Sequence, residues 1–127
     1  MTEKWGIIIY KLPIASTANF GYYGIMIELS SKQRHALEKL AHPLQPLVIV
    51  GQAGVTEALE KQVGLFLNDR ELVKVKFNAF RDEKKELTLK LAEDTGATLV
   101  RIIGNIAILF KESDDPEKRR IFIDRLK

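Results

Sequence analysis

Between Ser30 and Phe110 the hydrophobic pattern passes back and forth between helical and strand period, and no other feature constrains the fold as strongly. Ser30 and Gln33 form a capping box, in which hydroxyl and amide each satisfy an N–H left unpaired at a helix start. Ala36, Leu37, Leu40, Ala41 and Leu44 then recur at helical spacing, so one stripe is expected to face a core. Pro43 and Pro46 end that helix. Leu47-Val48-Ile49-Val50 is a continuous apolar run, the pattern of a strand covered on both faces. Beyond the turn from Gly51 to Gly54, a second helix is expected over 56–68, with Leu59, Val63, Phe66 and Leu67 inward. Residues 71–77 alternate, setting Val73, Val75 and Phe77 against Lys74 and Lys76, which predicts a strand. A charged helix over 82–94 buries Leu87, Leu91 and Ala92, and Gly96 stands where a left-handed cap is needed. Two β-rich runs, 98–103 and 106–110, flank Gly104-Asn105, a two-residue hairpin signal.

The order α-β-α-β-α-β-β predicts one α/β domain, a mixed four-stranded sheet packed with three helices. Two strand–helix–strand crossovers imply parallel neighbours, and the hairpin adds an antiparallel strand. A length of 127 residues with 46% hydrophobic content suits a single core. Residues 1–25 stand apart, holding Trp5, all three tyrosines and few charges. As a secretion signal this segment fails, because Lys11 and Pro13 interrupt a short apolar run, and no stretch is long enough to span a membrane. It is expected to be an appended or mis-assigned leader, with Met26 as an alternative start. The domain is then expected over 26–112, followed by a polar tail over 113–127 that fits neither strand nor helix firmly.

Lys and Arg number 20 against 17 acidic residues, a net charge of +3 and a pI near 9.2. That mild basic bias suits a polyanionic partner without requiring one. The lack of cysteine excludes disulfides, thiolate metal sites and cysteine nucleophiles, and fits a reducing cytoplasm. His35 and His42, seven apart, could share a helix face, but no other His or Cys is present to complete a metal site. Neither metal nor cofactor is expected.

The segments 29–59 (LSSKQRHALEKLAHPLQPLVIVGQAGVTEAL), 71–77 (ELVKVKF) and 94–111 (DTGATLVRIIGNIAILFK) together resemble the CRM domain, named for chloroplast RNA splicing and ribosome maturation, in its stand-alone bacterial YhbY form. The likeness runs in order from Leu29 to Lys111. It implies a fold like the C-terminal domain of translation initiation factor 3 and RNA binding without catalysis. For a bacterial member it implies action as a cytoplasmic monomer on 23S ribosomal RNA in the precursor of the large (50S) subunit, with no role for DNA or membrane.

The loop Gly51-Gln52-Ala53-Gly54 also has a physical rationale of its own. Two glycines three apart let backbone approach a phosphate, and the helix behind them offers free N–H groups and a positive dipole end. A KH domain clamps RNA backbone with a comparable GxxG loop. Alone, the motif is equally a plain strand-to-helix turn. Family loops usually carry a basic residue after the first glycine; Gln52 stands there and brings no charge. Asn105 likewise stands at a position that is often basic, and Arg101 at one that is often Gln. The resemblance points to Lys32 and Arg34 on the first helix as RNA contacts, and to Lys39 less strongly; an ordinary solvated face is the alternative, since Glu38 interleaves with them. Lys74, Lys76, Arg81, Lys84 and Lys85 form another basic region, diluted by Asp82, Glu83 and Glu86, and Lys118, Arg119, Arg120 and Arg125 offer a tail contact. Two other functional classes stay open. A phosphate- or nucleotide-binding enzyme could use the loop, although no P-loop Lys-Ser/Thr follows it. A protein-interaction module could use the leader or a sheet edge.

Overall fold

The computed structural model describes residues 27–126. Helix α1 (Ser31–Ala41) begins at the capping box, with the Ser30 amide donating to Gln33 Oε1 at 2.9 Å and the Gln33 amide to Ser30 Oγ at 3.1 Å. Strand β1 (Val48–Val50) leads through the glycine turn into α2 (Glu57–Arg70), whose N-cap is Thr56. Strand β2 (Leu72–Phe77) follows, then a 3-10 turn at Arg81–Glu83 running into α3 (Lys84–Thr95). Gly96 ends α3 at φ 76°, the left-handed cap that the sequence predicts. Strands β3 (Thr98–Ile103) and β4 (Ile106–Phe110) form the expected hairpin.

The sheet is four-stranded and mixed, in the order β1-β2-β4-β3. β1 lies parallel to β2, whereas β4 runs antiparallel to both its neighbours. Alternation along the strands divides the core in two. Val48, Val50, Val73, Val75, Phe77, Ala107 and Leu109 pack with Val63 and Leu67 of α2 and with Leu91 and Ala92 of α3. On the opposite face Leu72, Val100, Ile108 and Phe110 pack with Leu37 and Ala41 of α1. Leu67 is fully buried, and cutting it to alanine would cost about 2–5 kcal/mol.

Three expectations need correction. β1 is an edge strand rather than a doubly covered one: Ile49, on the α1 face, is 54% exposed because α1 does not reach over it. The second crossover does not join neighbours, because β4 inserts between β2 and β3 and pairs with each. The apolar stripe of α1 is narrower than its spacing suggests. Leu37 and Ala41 are buried, but Leu40 is exposed, and Leu44 lies past the helix end and is exposed too.

The segment after Lys111 folds back onto the domain. It makes 3-10 turns at Pro116–Lys118 and Ile123–Arg125, and Ile121, Ile123 and Leu126 lie against the core beneath α1. Its anchor is Glu71. This residue caps α2 at φ 68°, is fully buried, and accepts from the amides of Ser113 (2.8 Å), Arg120 (2.7 Å) and Ile121 (3.0 Å). A buried carboxylate with several N–H donors is satisfied without a cation. The described cations of the tail are engaged within the chain. Lys118 lies 3.3 Å from Asp69, Arg119 donates to the Ser113 carbonyl at 2.9 Å, and Arg125 stacks 4.7 Å over the Phe122 ring. The leader, residues 1–25, lies outside the described residues.

Candidate nucleic-acid interface

Parallel β1 and β2, and antiparallel β4 and β3, bring three connections to one end of the sheet: residues 51–54, residues 78–80 and the hairpin tip Gly104-Asn105. The three are tied together. The amides of Asn78 and Ala79 both donate to the Val50 carbonyl, at 3.0 and 3.2 Å, and the Phe77 amide donates to the Asn105 carbonyl at 2.8 Å. Asn105 Oδ1 in turn accepts from Lys84 Nζ at 3.2 Å, so a cation stands beside the uncharged tip.

The loop 51–54 closes on itself through the Gly54 amide, which donates to the Gly51 carbonyl at 3.0 Å. Gln52 and Ala53 are exposed at its tip. Its two glycines differ in kind. Gly54 has φ +76°, which L side chains adopt only with strain. Gly51 has no positive φ, and a Cβ placed on it would meet nothing within 4 Å among the described residues. Packing among the described residues does not require glycine at 51. Behind the loop, Thr56 Oγ1 accepts from the Leu59 amide at 3.1 Å, and Glu57 and Glu60 occupy the first turn of α2. Of these, Glu57 complements the helix dipole and competes with any phosphate for it. The Glu60 carboxyl is pushed up to about 7, first by its hydrogen bond with Asp94 on α3 and then by partial burial. Asp94 also pairs with Lys90 at 3.1 Å.

The candidate residues of α1 occupy the far side of the sheet. Lys32 is exposed. Arg34 is half-buried, and its Nη1 donates to the Leu99 carbonyl at 3.0 Å and to the Val100 carbonyl, where the β3–β4 register slips and β3 bulges. Arg101 pairs with Glu38 at 3.2 Å, and its side chain keeps 57% of its surface exposed. Arg34 and Arg101 are thus brought together where α1 crosses β3. The loop 51–54 follows β1, the opposite edge, three strand spacings or roughly 14 Å away. Between them lies a groove of about 330 Å³ lined by His35, Lys39, His42 and Lys74 over a floor of Ile103, Ile106 and Ile108, with Glu38 on its wall. Lys74 Nζ donates to the carbonyls of His42 (3.2 Å) and Leu44 (3.0 Å), so it caps the end of α1. His35 and His42 do share this groove, but the described residues contain no cluster of three or more His, Cys, Asp or Glu able to hold a metal.

Lys84, read in sequence only as part of a diluted basic region, reaches the hairpin tip in the fold. Phe80 was missed by the sequence reading, although a lone aromatic between β2 and the charged run at 81–86 is a trace of it.

The model of the CRS1 / YhbY (CRM) domain matches residues 29–111. This chain belongs to the CRM family. A Haemophilus influenzae RNA-binding protein is 37% identical over 91 residues, 71% of this chain and 92% of that protein. The "Probable RNA-binding protein PA4753" of Pseudomonas aeruginosa is 33% identical over 98 residues, 76% of this chain and 94% of its own length. The solution structure of SAV1595 from Staphylococcus aureus superimposes with a TM-score of 0.61 at 36% identity, covering 74% of this chain and 99% of that one. The glycine loop and the hairpin tip of this CRM domain both fall inside the matched span, whereas the segment held by Glu71 begins just beyond it.

Proposed function

We propose that this CRM domain is an RNA-binding protein of the cytoplasm, acting as a monomer on 23S ribosomal RNA in the precursor of the large ribosomal subunit. RNA backbone meets the loop Gly51–Gly54, and Lys32, Arg34 and Arg101 supply charge from the α1 side. The observation that carries the loop is Gly51. Among the described residues its glycine answers no demand of φ or of packing, and close approach of a phosphate accounts for it. Gln52 adds hydrogen bonding at the tip without charge, so electrostatic attraction comes from neighbours, chiefly Lys84 at the hairpin tip and Lys74 and Lys39 along the groove. Arg34 acts as a fixed charge that locks α1 to β3, whereas Arg101 can exchange Glu38 for a phosphate. Membership of the family and the RNA-binding names of its relatives support the class of ligand. Gradient sedimentation of a gently prepared lysate tests the assembly role. The protein should travel with large-subunit precursors and crosslink to their 23S RNA. Uniform spread over translating ribosomes, or absence from every ribosomal fraction, would remove that role.

A further inference from the structure

Phe80 is a residue whose conformation the fold leaves unexplained. It lies at φ 55°, ψ 39°, the left-handed region that a bulky side chain enters only with strain, and it is 42% exposed. Asn or Gly would occupy the same turn at less cost. Its ring stands directly beside the glycine loop: a Cβ on Gly54 would lie 3.4 Å from Cε2 and 3.7 Å from Cζ. The backbone beneath is held still by the Asn78 and Ala79 amides on the Val50 carbonyl. Arg81 and Lys85 are exposed close by in sequence, and Lys84 reaches the hairpin tip, with Asp82 and Glu83 the opposing charges. A rigidly presented aromatic face beside a loop open to phosphate, with cations around it, has the composition of a single-stranded nucleic-acid platform.

We infer that Phe80 stacks on an unstacked base of single-stranded RNA whose backbone rests on Gly51–Gly54. The inference rests on the loop reading above and adds to it the form of RNA taken there: a single strand with a base free to turn outward. Stacking accepts any base, so this contact confers no base preference. It also carries no charge, so its loss leaves the salt dependence of binding intact.

The test is anisotropy titration of a short labelled single-stranded RNA with the full chain and its Phe80→Leu and Phe80→Tyr variants. All three share the strained backbone position, so the comparison isolates the ring. F80L should raise Kd by about 5- to 100-fold at an unchanged salt slope, whereas F80Y should bind like wild type. The Phe80 ring protons should also move upfield when the unlabelled RNA is added, the signature of a stacked base. If the ring only packs over Gly54, F80L will lower Tm while the folded variant keeps its affinity and the ring signals stay put. That result overturns the stack and leaves the loop reading standing. A wild-type chain with no affinity for the RNA overturns both.

Discussion

Replacing Glu71 should release the C-terminal segment and expose how the domain is closed. In Glu71→Ala three hydrogen bonds to a carboxylate disappear, those from the amides of Ser113, Arg120 and Ile121. Bonds to a charged group are worth about 1.5–3 kcal/mol each, so the gross loss is roughly 5–9 kcal/mol. The segment can then peel away, which rehydrates its amides and returns about 1 kcal/mol or more of backbone entropy per freed residue. Packing of Ile121, Ile123 and Leu126 beneath α1 resists that release. The net destabilisation should be about 2–4 kcal/mol. Glu71→Gly removes the same bonds but relieves the φ of 68°, so it should be about 1 kcal/mol more stable than Glu71→Ala. Glu71→Gln keeps one acceptor oxygen for Arg120 and Ile121 and sets an NH₂ group against the Ser113 amide, and should fall between wild type and alanine. Urea unfolding gives the energies, and NMR hydrogen exchange at Ser113, Arg120 and Ile121 reports the segment directly. An alanine variant within about 0.5 kcal/mol of wild type, with those amides still protected, would refute the reasoning.

Deleting residues 1–25 should leave a domain with an almost unchanged melt, since the core residues described all follow Met26, beginning with Leu29 against the α1 cluster; an aggregated truncation would show that the leader completes the fold. Glu60, with its carboxyl raised to about 7 in the fold, stabilises the protein most below about pH 4.5, and that contribution is lost as pH rises through about 7. Thermal melts from pH 4.5 to 8 should therefore fall more steeply for wild type than for Glu60→Gln, and parallel profiles would contradict it. Thr88 is fully buried with a hydroxyl that has no hydrogen-bond partner among the described residues, so Thr88→Val should raise stability by about 1 kcal/mol in urea melts.

What the sequence made legible is what short stretches of chain decide for themselves. The Ser30–Gln33 box, the Gly96 cap and the Gly104-Asn105 hairpin each depend on residues within a few positions, and each forms where expected. Strand order is not local. The same apolar run at 47–50 suits a central or an edge strand, and only the insertion of β4 beside β2 decides that β1 is left at the margin. Glu71 was illegible for a related reason, because a glutamate that starts an apparent strand gives no sign that its partners lie 42–50 positions away. The candidate site was legible as a set of residue types but not as a layout. Arg34 and Arg101 look like free cations in sequence, yet a bulge in β3 offers Arg34 two carbonyls, and Glu38 lies one helical turn along to meet Arg101.

The central claim is that Gly51–Gly54 meets RNA backbone, and the salt dependence of RNA affinity in loop variants tests it most directly. Gln52→Lys adds one charge at an exposed tip, so it should tighten binding. It should also steepen the slope of log affinity against log salt by about 0.7 for a single strand, or about 0.9 for a duplex-like target. Gly54→Val should weaken binding, since a β-branched side chain resists φ +76° and would crowd the Phe80 ring. Melts of both variants identify any loss that comes from unfolding. If both remain folded and bind with wild-type affinity and slope, the loop is only a turn, and RNA must be held elsewhere on the domain.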